Sequence, residues 1–368
     1  MTDPRAQLRR TPLTGVHERL GATLTGFAGW LMPLRYGSET AEHNAVRKAA
    51  GLFDLSHMGE ITVTGPDAAA ALDYALVGQP SALAPGRARY TMICAPDGGV
   101  LDDLIVYRLS GTEFLVVANA ANAEVVLREL TGRAGSGAEV TDRTDDYALI
   151  ALQGPNAAGI LAPLTDADLA AVKYYASYPA TVAGRGLLLA RTGYTGEDGY
   201  EIYVAPAEGP RLWQEILDAG REFGIQPCGL GARNTLRLEA KMALYGHEIH
   251  ASITPWEADL AWMVKLDKGD FVGRAALVKQ KEQGIRRKLI GFEMCGRGIA
   301  RDGYEVQVDG VPAGWVTSGS PAPFLNKNIG LCYLPVAQAT IGRAIEIVIR
   351  NQPVAAVTVD TPFYKRAK

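Results

Sequence analysis

Two adjacent aspartates, Asp102 and Asp103, stand between a glycine turn and an apolar run in Gly98–Arg108, GGVLDDLIVYR. Pro96, Asp97, Gly98 and Gly99 spell a turn, and Leu104, Ile105, Val106 and Tyr107 spell a strand. A strand that begins at the acidic pair sends its two carboxylates to opposite faces, so one meets solvent and the other points inward. An inward carboxylate is costly unless it is paired or has a chemical task. The alternative is that both acids finish a surface turn. A third acid, Glu201, falls inside the alternating strand Tyr200–Val204, at the end of the glycine-rich Thr192–Glu201, TGYTGEDGYE. That run lacks the GK[ST] ending of a P-loop and the spacing of a dinucleotide fingerprint, so it is not a phosphate cradle. Arg233 lies in the first turn of a helix within Gly229–Tyr245, where the helix dipole disfavours a cation; an anionic partner or an ordinary salt bridge is expected. His57, in GLFDLSHMGE, reads as an interior histidine with its hydrogen bonds satisfied.

The elements that must hold these residues follow from patterning. Thr11–Tyr36 opens with a short helical stretch, and Gly29 in FAGW lets the chain pass close to something flat or crowded; Trp30 reads equally as core. Ser38–Ala50 is a helix with Ser38 able to cap, Glu39 and Glu42 early, and Arg47 and Lys48 late. From Ile61 to Leu130 the order is strand, helix, three strands, helix, with Asn119 opening the last helix. From Ala148 to Phe223 a similar order recurs with one strand fewer, without a residue-level repeat. Asp270–Lys281 is a further helix and Gly284–Lys288 a linker. After it come six short strands, Ile290–Met294, Tyr304–Val308, Ala313–Ser318, Ile329–Tyr333, Ala344–Ile349 and Gln352–Val359, with a hairpin turn at Asp309-Gly310. They read as a small antiparallel barrel or sandwich. The fold class is α+β.

Composition narrows the function. A chain of 368 residues requires two or three domains. Its 48% hydrophobic content and net charge of -3 are those of a globular protein with no nucleic-acid footprint. The basic tract Lys279–Lys288 reads as a solvated helix end and linker. Four dispersed cysteines without a CxxC, and five histidines without ligand spacing, predict neither a disulfide framework nor a metal site. No apolar run reaches membrane-spanning length. MTDPRAQLRR has no apolar h-region, so a secretory signal is not expected, nor a transit peptide; the setting expected is cytoplasmic and reducing.

The motifs in their order resemble one family, the aminomethyltransferases (T-proteins) of the glycine cleavage system. They are RTPL, FAGWLMPL, GLFDLSHMGE, GGVLDDLIVY, VVANAAN, ALQGP, RTGYTGEDGYE, GLGARNTLRLEA, YGHEI, DFVGR, VTSG and PFYKR, spread from one end of the chain to the other. The resemblance implies a three-domain fold around a central folate cavity, with the C-terminal strands closing as an antiparallel β-barrel. It implies a first domain of residues 1–55 plus 143–255, split by an inserted domain of 56–142 that bears Asp103, then a helical linker, 256–284, and the barrel, 285–368. It further implies tetrahydrofolate as co-substrate and the lipoylated H-protein as partner. The aminomethyl group on the lipoyl arm becomes 5,10-methylenetetrahydrofolate and ammonia is released. Asp103 corresponds to the catalytic acid and Glu201 to the glutamate that hydrogen-bonds the pterin. By the same resemblance Arg233 matches the family's arginine near the folate, Met58, Tyr90 and Tyr107 match residues that line the folate slot, and Asn119 and Tyr194 carry over to it more weakly. The run Pro321–Asn328 departs from the family's usual loop. Folate-dependent demethylases share the cavity. Folate-binding assembly factors carry a KGCYxGQE motif that has no match here, and flavin-bearing relatives need more chain.

Overall fold

The structure is a computed structural model that describes residues 7–367; the first six residues of the stretch read for targeting signals lie outside the described residues. The chain divides into two compact units. The first takes the described residues up to Leu72 with Pro80–Tyr90 and Leu104–Asn234; the second takes Asp73–Gln79, Thr91–Asp103 and the described residues from Thr235 on. Among the described residues no helix is long and apolar enough to cross a membrane.

The first unit is built on two sheets of matching topology. One has the strand order Arg87–Cys94, Val100–Arg108, Glu113–Ala118, Gly59–Thr64, Glu139–Asp142, its first two strands running on into the second unit. The other has the order Ser177–Val182, Arg185–Ala190, Gly199–Val204, Ala148–Gln153, Ala50–Asp54, Ile225–Pro227. In both, a strand is followed by a helix, three strands paired in sequence, and a second helix. The strand that patterning missed in the second copy is Ser177–Val182. Pro179 hides its alternation, and the sheet tolerates the proline because this strand is at the edge.

Alternation assigns the faces of Gly199–Val204. Tyr200, Ile202 and Val204 join a core with Leu13, Leu52, Ile150, Leu212, Trp213 and Ile216. Glu201 and Tyr203 therefore point from the other face. Burying each large apolar side chain stabilises the unit by about 1.5–3 kcal/mol, so the strand's orientation is strongly specified. The helix Glu39–Lys48 behaves as its charges require. Ser38 accepts from the Ala41 amide, and Glu42 turns inward to accept from the amides of Tyr36, Gly37 and Gly229.

Several local expectations are corrected. The FAGW run is a hairpin tip: Thr23–Phe27 pairs with Trp30–Arg35, and Ala28 and Gly29 take φ of 49° and 82°. Those left-handed values suit the twist of paired strands, and Trp30 enters the core at 5% exposure. The helix assigned to Asn119 begins three residues later, at Ala123 after Asn122. GLFDL supplies most of the strand Ala50–Asp54, which patterning does not show because it is buried throughout and so without alternation.

In the second unit the six C-terminal strands close into an antiparallel barrel in the order Arg287–Met294, Lys327–Pro335, Val311–Ala322, Glu305–Val308, Ala344–Ile349, Gln352–Val359. Phe292, Val306, Val316, Leu334 and Ile347 fill it. The Asp309-Gly310 hairpin has φ of 53° and 75°. Arg287 and Lys288, expected in a linker, open the first barrel strand; Arg287 Nε binds Glu257 at 2.8 Å.

Candidate active site

The aspartate pair belongs to the second unit, at the start of Val100–Arg108. The strand begins two residues before the acids, because the turn closes early: Ala95 and Gly99 exchange a backbone hydrogen bond of 2.8 Å, and Val100 N donates to Ile253 O at 2.9 Å. Gly98 has φ +86°, and a Cβ on Gly99 would lie 1.9 Å from Ala251 O, so both glycines are required by geometry. Neither acid reaches the surface as a turn residue: Asp102 is 0% and Asp103 8% exposed. The expectation that one would meet solvent is wrong, and so is the surface-turn alternative. Their charges, after burial, push the Tyr245 phenol up, keeping it protonated as a donor.

In the first unit the glycine-rich loop is a positioning device. Gln153 donates to Thr192 O at 3.1 Å and accepts from Thr195 Oγ1 at 3.0 Å. A Cβ on Gly193 would meet Gln153 Oε1 at 1.9 Å, and one on Gly199 would meet Leu152 O at 2.5 Å. The loop wraps directly on this side chain, so its glycines serve close packing. Buried Arg47 pins the far side, donating to Thr195 O and Glu197 Oε1, each at 2.8 Å.

That anchoring fixes Glu201. Its Oε2 accepts from Thr192 Oγ1 at 2.5 Å and from the Tyr107 hydroxyl at 3.1 Å. Tyr203 OH donates to Tyr107 OH at 3.3 Å, and the two rings meet edge to face. Burial raises the Glu201 carboxyl above the ordinary glutamate value; the Thr192 and Tyr107 hydrogen bonds and the Arg233 charge oppose that rise. Arg233 lies over the Tyr194 ring at 4.5 Å. Tyr107, Tyr194, Glu201 and Arg233 thus form one linked set. Thr192 and Tyr203 complete it and were missed; Tyr203 was within reach, since it shares a strand face with Glu201. Tyr90, Asn119 and Met58 are part-buried in the same unit.

Met58 and His57 ride on a loop fixed by buried Asp54. Asp54 Oδ2 accepts from Thr11 Oγ1 at 2.7 Å and lies 2.9 Å from His17 Nε2, and Oδ1 accepts from Ser56 N. His17 Nδ1 meets Tyr36 OH at 2.7 Å. Burial acts to raise Asp54, but the His17 contact and charge and the other hydrogen bonds win, leaving it below the usual aspartate value. A depressed folded value contributes stability above the unfolded pKa that is lost as pH falls through the folded one. Replacing Asp54 by Asn is therefore expected to lower the melting temperature at neutral pH. The deficit should shrink below about pH 4, as measured by thermal melts across pH.

His57 does not have its hydrogen bonds satisfied. It is buried with Nδ1 lacking a partner among the described residues, and Phe27 meets its ring edge on at 5.7 Å. Burial first, then the Arg233 charge, lowers its pKa to about 4, so it is a neutral ring at physiological pH.

The comparisons decide the family. The GCVT N-terminal domain pattern matches residues 13–268, and the glycine cleavage T-protein C-terminal barrel domain matches 287–365. The chain belongs to the glycine cleavage T-protein family. Relatives named aminomethyltransferase agree along the whole length. That of Saccharopolyspora erythraea is 56% identical over 361 residues, covering 97% of this chain and 98% of the relative. That of Streptomyces avermitilis is 57% identical over 366 residues, covering 98% of each. The solved glycine cleavage system aminomethyltransferase T from Bartonella henselae superposes with a TM-score of 0.92 at 35% identity, covering 97% of this chain and 98% of that one. The chain is an enzyme of the aminomethyltransferase family, with the family's three-domain α+β fold and six-stranded C-terminal barrel.

Proposed function

We propose that this protein is the tetrahydrofolate-dependent aminomethyltransferase of a cytoplasmic glycine cleavage system. It takes the aminomethyl group from the lipoyl arm of H-protein, forms 5,10-methylenetetrahydrofolate, and releases ammonia. The observation that carries the reading is the buried Glu201 carboxyl, whose Oε2 is held by Thr192 and Tyr107. Oε1 is the oxygen these donors leave, and a pterin supplies the amino and ring N–H groups to meet a carboxylate. Tyr107 and Tyr90 offer flat rings and Met58 a soft thioether to the heterocycle. Asn119 and Tyr194 complete the slot, and Arg233 supplies positive charge to folate carboxylates.

Asp103 is the proposed catalytic acid. In the transfer the carbon–nitrogen bond to ammonia and the carbon–sulfur bond to the lipoyl arm break, and the methylene carbon bonds to two folate nitrogens. Positive iminium character develops on that carbon as ammonia leaves. A buried anion orients the folate nitrogen and stabilises this charge where water would screen it poorly.

The test is ammonia release with aminomethyl-loaded H-protein and tetrahydrofolate, each omitted in turn. Release that needs both, with methylenetetrahydrofolate formed in equal amount, is the expected result. Folate binding without that turnover would shift the activity to a folate-dependent demethylase or an assembly factor.

A further inference from the structure

Glu60 is a buried acid that the proposed chemistry leaves without a task. It lies in the strand Gly59–Thr64 at 1% exposure, and neither carboxyl oxygen has a hydrogen-bond partner among the described residues. Such a group costs stability in any state and is tolerated as an anion only with a counter-charge. Strand register shows where it points. Glu60 is opposite Val117, which is opposite Ile105, so Glu60 and Ile105 share a sheet face, and Tyr107, two residues on, shares it too. The other face, with Ile61, Val63, Phe114 and Val116, is apolar and buried up to the edge strand, where the exposed Asp142 stands opposite Ile61.

The groups around Glu60 are acids and phenols. On the paired strand stands Asp142, and on the following turn Asp145; from the second sheet come Glu201 and Tyr203, and Tyr147 packs edge to face on Tyr203 at 5.9 Å. Glu113 and Glu139 sit farther along the neighbouring strands, opposite Thr64. The neighbouring cation, Arg143, is engaged elsewhere: it donates its backbone amide to Glu60 O, while its guanidinium binds Asp146 at 2.9 Å. Tyr203 in turn donates to Tyr107, which donates to Glu201.

Resting on the folate reading, we propose that Glu60 is a positioning residue for Glu201. It is kept as an uncharged carboxylic acid on the sheet face it shares with Tyr107, so that the pterin pocket holds one ionised carboxylate and not two. Burial and the surrounding acids raise Glu60 well above the ordinary glutamate value; burial raises Glu201 as well, but its two hydroxyl donors and the field of Arg233 oppose that rise, and Glu60 has no such donors among the described residues. Two carboxyls in unequal surroundings divide the work: the one with hydroxyl donors ionises to accept N–H groups and the one without them remains neutral. Ionising Glu60 would place a second anion in a poorly screened interior, favouring protonation of Glu201 and weakening its grip on the pterin.

The experiment measures binding of 5-formyltetrahydrofolate from about pH 6 to about pH 10, in the full-length wild-type protein and in Glu60→Gln. Glutamine keeps the shape and is permanently neutral. In the wild type, affinity should fall on the alkaline side by up to about tenfold per pH unit beyond the onset; in the variant that fall should shrink to whatever the ligand's own titration imposes. An independent reading is the infrared carbonyl stretch of a protonated carboxyl at neutral pH, present in the ligand-free wild type and lost in Glu60→Gln. An alkaline fall of equal size in both proteins would overturn the proposal, and so would absence of the protonated band. Failure of the wild type to bind folate at any pH is a separate outcome, and overturns the functional reading itself.

Discussion

Replacing Asp103 by Asn is expected to lower the rate of ammonia release by about 10²–10³-fold while the affinity for folate changes little. The estimate follows from what the substitution removes. Asparagine keeps the size of the side chain and its fit in the tight turn-to-strand geometry that Gly98 and Gly99 impose. It loses the negative charge that would face the developing iminium. Removing one preorganised electrostatic partner of a transition state costs about 2.7–4 kcal/mol, which corresponds to that range of rate. A charge that matters only as the carbon–nitrogen bond breaks should appear in kcat and hardly in folate binding. The measurement is turnover with loaded H-protein beside a folate titration of the same variant. Unchanged turnover would remove Asp103 from the chemistry. Asp102→Asn is the natural control: with 0% exposure, this neighbour should affect folding more than rate.

Where residues act through near neighbours, the sequence was legible. The barrel strands could be read because each alternates and the Asp309-Gly310 turn announces a hairpin. The Glu39–Lys48 helix could be read because Ser38 and the early acids sit where a helix start needs them. Glu201 could be placed in a strand for the same reason. What could not be read depends on residues far apart in the chain. The burial of both aspartates follows from where the strand begins, and that is set by Val100 pairing with Ile253. The purpose of the glycines in TGYTGEDGYE is packing against Gln153, some forty positions earlier, and the anchor is Arg47, earlier still.

A lone histidine or glutamate near a strand is ordinarily satisfied or solvated, and nothing in GLFDLSHMGE says otherwise. Only the folded chain shows that one ring nitrogen and two carboxyl oxygens are buried without partners among the described residues. Local rules fail most informatively at such positions, since a stable interior would not retain unsatisfied polar groups that do nothing.

The second large effect concerns the link between a helix end and the barrel, within the second unit. Arg237 is 1% exposed and binds Glu248 Oε2 at 2.7 Å and Ser318 Oγ at 2.7 Å. Glu248, 0% exposed, also accepts from Thr317 Oγ1 at 2.7 Å and from Leu244 N at 3.0 Å. Its backbone carbonyl accepts from Tyr333 OH, on the neighbouring barrel strand. Arg237→Met would keep much of the volume and strand the Glu248 charge in the interior. Breaking a buried pair in this way costs about 3–5 kcal/mol, and at about 2–4 °C per kcal/mol the melting temperature should fall by roughly 6–20 °C. The double variant Arg237→Met with Glu248→Gln should recover much of the loss, because the lone charge is the main penalty and the removed pair is worth less than its geometry suggests. Thermal melts of the four proteins in the cycle measure both quantities. A small effect of the single variant would mean that Thr317 and Leu244 alone can hold the carboxylate, and that the arginine contributes packing more than charge.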